Sequence, residues 1–126
     1  MKLLLSIWRP LCHVQFWIMI AIYTVLGLSS NPGSMVPVFN DLLMHFWGYL
    51  VAGISISFAW PRAPYWQRAA FLLGYSIAIE IAQHFMPPRT FSGMDILANF
   101  SGILVGLGLF VLLKRIAPEW AKPFIR

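Results

Sequence analysis

The sequence predicts an all-α integral membrane protein, a bundle of four transmembrane helices, on three observations. Of its 126 residues, 60% are hydrophobic and only 10% charged, whereas a soluble domain is roughly one-quarter charged. The apolar residues gather into four stretches of about 20, the length that crosses the hydrocarbon core as a helix. Pro, Gly and Ser clusters punctuate them at points where helices end. What lies outside the stretches is too short to fold alone, so residues 1–126 are expected to form a single membrane domain.

The first span reads from about Leu11 to Leu28 and ends in Ser29-Ser30-Asn31-Pro32-Gly33-Ser34. Arg9 and Pro10 interrupt the N-terminal apolar run, which argues against a cleaved signal peptide and against a lipoprotein site at Cys12. That single cysteine also rules out an intrachain disulfide. The second span runs from about Asp41 to Trp60, stopped by Pro61 and Pro64. The third extends from about Tyr65 to Met86, stopped by Pro87-Pro88, and the fourth from about Gly93 to Ile116, ahead of Pro118. Gly102-x3-Gly106, with Gly108 beyond, is a spacing that lets two helix backbones approach closely in lipid. Gly48 and Gly53 are placed to do the same on the second span.

Of nine Lys and Arg residues, all except Arg89 fall at the N-terminus, in the loop between spans two and three, or at the C-terminus. The positive-inside rule then puts both termini in the cytoplasm of a multi-pass protein of the bacterial inner membrane. Trp8, Trp60, Trp66 and Trp120 sit where interfacial anchors belong on that side. Topology accounts for the net charge of +5, and nucleic acid is not an expected partner.

Against this apolar background, polar residues collect at the outer end of three spans. An ionisable side chain near the bilayer centre costs at least ~2.5 kcal/mol on insertion scales, so each such residue needs a reason. Asp41 and His45 share a helix face at i, i+4, and Asp95 and Asn99 do the same. Glu80 has Gln83 and His84 one turn above it, and Arg89 lies on the link that follows. Structural roles compete for several of these residues. Asp41 suits a helix start, Ser92-Gly93-Met94-Asp95 matches a capping box, and Gln83 and Asn99 suit interhelical hydrogen bonds. His84 reads best as an interfacial side chain. Glu80 reads as too deep to cap anything and needs a partner or a proton; Arg89, a bidentate binder of carboxylate or phosphate, is the natural one. The fourth acid, Glu119, lies in the tail beside Lys122 as a solvated charge.

These blocks resemble the VanZ-like family. Asp41-Leu42-Leu43-Met44-His45 is similar to its first block, and Glu80-x2-Gln83 with Pro87-Pro88-Arg89 to its second. Ser92-x2-Asp95-x3-Asn99-x2-Gly102-x3-Gly106 is similar to its third. The likeness covers roughly residues 13–113. Leu42 stands where the family often has Lys, and Pro88 where Gly is common, which stiffens the turn. The family takes its name from a protein that lowers susceptibility to the glycopeptide teicoplanin. The resemblance implies a membrane protein with a polar site more than it implies a reaction.

The expected pocket is lined by Asp41, His45, Glu80, Gln83, Arg89, Asp95 and Asn99. Glu80, Asp95 and His45 are the candidates for chemistry, and Asp41, Gln83, Arg89 and Asn99 for ligand contact. The leading expectation is binding, or modification, of an envelope lipid or cell-wall precursor headgroup. A membrane-embedded hydrolase of a lipid phosphate is an alternative, as is a non-catalytic assembly role. No cofactor is evident. The carboxylates and His45 suit a divalent metal, but no dense motif such as H-E-x-x-H accompanies them.

Overall fold

A computed structural model of the chain describes residues 1–29, 41–87 and 90–126. It has five helices among them: α1 (Lys2–Gly27), α2 (Asp41–Ala59), α3 (Tyr65–His84), α4 (Gly93–Ile116) and the short α5 (Lys122–Ile125). No strand occurs among the described residues. The expected loop at Asn31-Pro32-Gly33-Ser34, Pro88 and Arg89 lie outside the described residues.

Two helix bounds depart from the sequence reading. Helix α1 starts at Lys2 and carries Pro10 inside it, although Arg9-Pro10 reads as an interruption. Proline lacks one amide donor, but the flanking Leu, Ile and Trp residues keep the helical register on both sides. Ser6 Oγ donates to the Leu3 carbonyl at 2.7 Å in the turn before it. Helix α3 ends at His84, two residues short of Met86. Glu80 therefore sits about 6 Å from the helix end, in the last turn.

Three helices, α1, α2 and α4, are long and apolar enough to cross a membrane. Their outward faces carry Leu11, Val14, Ile18, Ile22 and Val25 on α1, and Leu97, Leu104, Leu109 and Leu112 on α4, all exposed. Water would disfavour such a surface strongly, and lipid tails accept it, because a helix satisfies its backbone polar groups internally.

The core is built where α2 meets α4. Leu50, Ala52, Ile56, Ile103 and Leu107 are buried there, joined by Phe16 of α1 and Leu72 of α3. Glycine sets the approach. A Cβ on Gly102 would run into the Phe46 carbonyl oxygen, and one on Gly106 into that of Leu50, while one on Gly53 would lie 2.9 Å from the Ile103 oxygen. The close packing suggested by this spacing is thus within the chain. Gly108 does not take part, since nothing lies within 4 Å of the place its Cβ would occupy.

Polar straps tie α1 to this pair. Tyr23 donates to the Gly48 carbonyl at 2.7 Å, Ser55 Oγ donates to Gln15 Oε1 at 2.6 Å, and Arg9 Nη1 donates to the Phe58 carbonyl at 3.1 Å. In lipid each such bond contributes about 0.6 kcal/mol on average. At the far end Trp8 Nε1 reaches the Phe124 carbonyl at 2.8 Å, which docks α5 on α1. In the tail Glu119 accepts from Lys122; that hydrogen bond holds its carboxyl below the usual carboxylate range.

Candidate functional site

The first two turns of α2 and of α4 meet at one end of the bundle and bring four of the expected residues together. His45 Nε2 lies 3.9 Å from Asp41 Oδ1 and 3.7 Å from Asp95 Oδ2. The opposite ring nitrogen, Nδ1, is 3.0 Å from Asn99 Oδ1. Asn99 donates its amide N–H to Ser76 Oγ at 2.7 Å, so it presents its oxygen to the imidazole. The Nδ1 position must then carry the proton. A neutral ring so oriented turns an Nε2 lone pair toward the two carboxylates.

That arrangement is repulsive unless something positive stands between the groups. His45 Nε2 is buried and makes no hydrogen bond among the described residues. One ligand atom each from Asp41, His45 and Asp95 lie within 4.8 Å of one another, so a single cation can touch all three. Two carboxylates and one imidazole are a donor set that suits a divalent ion. A proton on Nε2 would satisfy the same geometry as a pair of ion contacts.

Glu80 stands beside this cluster and does something its depth did not suggest. It is 1% exposed, and its Oε2 accepts the Ser92 backbone N–H at 3.1 Å. Ser92 is the N-cap of α4, and its hydroxyl accepts from the Asp95 amide at 3.2 Å. In a capping box the acid at Asp95 would return to the Ser92 N–H. Glu80 takes that donor instead, across the gap between α3 and α4. The Asp95 carboxylate is thereby released toward His45.

The remaining expected residues go elsewhere. Gln83 is buried, but its Nε2 donates to the Gly27 carbonyl at 2.7 Å, strapping α3 to the end of α1. His84 is exposed and packs edge-on against Phe85 at 5.4 Å between centroids. Arg89 lies outside the described residues.

Sequence reasoning passed over Ser76 and the tyrosines. Ser76 precedes Glu80 by one helical turn, and that i, i+4 spacing is the signal that places both on the α4-facing side of α3. Tyr23, Tyr49 and Tyr75 line a cleft between α1, α2 and α3 together with Leu26, Met44, Ile79, His45 and Gln83. Its walls are mostly apolar, and His45 and Gln83 are its polar corner. The cluster and the cleft thus share His45.

Comparison with curated proteins and with solved structures gives no match. The family model described as VanZ/LLP1 matches residues 6–114, which takes in Asp41, His45, Glu80, Asp95, Asn99 and the glycines that let α2 and α4 meet. The chain belongs to the VanZ/LLP1 family and is a membrane protein of that type.

Proposed function

We propose that this end of the bundle binds the phosphate-bearing headgroup of an envelope lipid or lipid-linked wall precursor, with a divalent cation at Asp41, His45 and Asp95. The observation that carries the reading is the junction at His45. An apolar cleft suited to an alkyl chain has His45 among its walls, and the same imidazole faces two acids. Acids alone repel phosphate, and a shared cation removes that repulsion. Arg89, on sequence grounds, adds a second positive group for the phosphate. Lipids co-purifying with the wild type, Asp95→Asn and Arg89→Ala test this by mass spectrometry. An anionic-lipid profile identical in all three would sink it.

The same donor set supports a second reading, hydrolysis of a lipid phosphate. Three protein ligands leave room on a metal for an activated water, and Glu80 is the nearest further carboxylate along the chain to take a proton. Turnover of a polyprenyl phosphate that survives both Glu80→Gln and metal chelation would exclude it.

The topology belongs to the same proposal. Helix α3 is 20 residues long, about 30 Å at 1.5 Å per residue, enough to serve as a fourth crossing. Its hydropathy is lowered by Arg68, Ser76, Glu80 and Gln83, and all four are buried against the other helices, so lipid need not solvate them. The basic residues at the opposite end favour cytoplasmic termini in the bacterial inner membrane, and the cluster then faces the outer leaflet. The whole chain acts as one membrane domain.

A further inference from the structure

The end of the bundle away from this cluster holds a second polar anomaly. Arg68 sits in the first turn of α3 and is 3% exposed. Its Nε and Nη1 are buried and make no hydrogen bond among the described residues. No ion pair joins it to a carboxylate among them. Of the acids, Glu119 is engaged with Lys122, and Glu80 lies 12 residues further along α3, about 18 Å by helical rise.

Aromatic faces stand in for the missing anion. The Arg68 guanidinium curls back over Tyr65, the first residue of α3, with Cζ 4.4 Å from the ring centroid. It also lies 5.8 Å from the Phe110 ring, which Lys114 Nζ approaches to 5.6 Å. Two cations thus share one buried phenyl ring, an arrangement their mutual repulsion disfavours. Helix α3 adds to the positive field. It opens after Pro64 with no side-chain cap, and the positive end of its dipole lies in the same first turn as Arg68. Snorkelling to water explains an exposed arginine, but not one buried to this degree.

Arg68 also lines a cleft whose other walls include Trp17, Ile56, Trp60, Gln67 and Phe71. An arginine among the walls of an apolar, tryptophan-flanked cleft matches a phosphate joined to acyl chains.

We propose that Arg68, with Lys114 reinforcing its charge, forms a binding site for the phosphate of an anionic membrane lipid, separate from the acid–histidine cluster. The lipid phosphate accepts from the Arg68 guanidinium, and its glycerol and first methylenes lie against Trp17, Trp60 and Phe71.

The test uses the full chain in maltoside micelles, titrated with phosphatidylglycerol, phosphatidylcholine or inorganic phosphate and followed by thermal unfolding. Phosphatidylglycerol is expected to raise the unfolding midpoint more than the other two. With EDTA present, so that no cation draws phosphate to the acid–histidine cluster, Arg68→Met should weaken its apparent affinity about tenfold or more, and Gly108→Ala, where a methyl meets nothing, should leave it unchanged. Wild-type affinity in Arg68→Met overturns the proposal, as does an equal response of wild type to phosphatidylcholine or to inorganic phosphate. Should Arg68→Met fail to fold, Lys114→Gln decides: a loss of about threefold supports the site, and an unchanged affinity overturns it.

Discussion

An acid three residues after a serine N-cap normally bends back to the N-cap amide, and Asp95 is held away from that bond because Glu80 already occupies it. The exchange gives each carboxylate a distinct expected response. Glu80→Gln keeps an acceptor oxygen for the Ser92 N–H and should unfold within about 1 kcal/mol of wild type. Glu80→Ala leaves the donor unmet and should lose about 1–3 kcal/mol. Denaturant titration in detergent separates the two, and equal losses would show that the capping bond contributes nothing. Asn99 works one step further back. It fixes the His45 proton on Nδ1 and is itself 1% exposed, so Asn99→Ala should weaken Mn²⁺ or Zn²⁺ binding at His45 by about 10–100-fold. Calorimetric titration of the two proteins measures it; equal affinities would detach Asn99 from the cluster.

At the scale of the elements, the packing of α2 on α4 rests on Gly102 and Gly106 of α4 with Gly53 of α2 facing them, and not on Gly108 beyond. Gly102→Ala and Gly106→Ala each push a methyl into a facing carbonyl, and each should cost about 1–3 kcal/mol in overpacking. Gly108→Ala meets nothing and should be neutral or slightly stabilising, since alanine is the better helix former. Thermal melts of the three variants check the ranking, and a Gly108→Ala loss equal to that of Gly102→Ala would remove the distinction. The glycine spacing was legible in the sequence because it follows helical period, but which glycines meet a partner depends on how far α2 extends along α4. The same limit applies to the polar residues. Asp41–His45 and Asp95–Asn99 could be paired from i, i+4 spacing alone, and they do converge. Gln83 follows Glu80 at i, i+3 on the same helix, yet it bonds to Gly27 of α1, a partner 56 residues away that no local period reveals. Helix α1 was read too short for a related reason. Pro10 is a strong local stop signal, and the apolar run around it, packed through Trp8 and Cys12, overrides it.

Across the whole molecule, the two polar anomalies sit at opposite ends of α3, and their separation has a thermodynamic consequence. The acid–histidine cluster gathers negative charge, and the Arg68–Lys114 end gathers positive charge that no carboxylate pairs with among the described residues. A cation is thus held at one end only and a guanidinium-bound phosphate at the other, and each stabilises the fold through its own site. Sites this far apart, with no shared contacts, should contribute additively within about 0.5 kcal/mol. Manganese at one hundred times its dissociation constant should stabilise wild type by about 2.7 kcal/mol, and Asp95→Asn should lose most of that gain. In Asp95→Asn, which no longer holds the cation that would draw phosphate to the cluster, the increment from phosphatidylglycerol should be the same with or without manganese. A matrix of unfolding free energies, two proteins against the four combinations of metal and lipid, reads all of these at once. Strong coupling between the two increments in Asp95→Asn would mean that α3 transmits strain from end to end, and the ends could no longer be treated as separate sites.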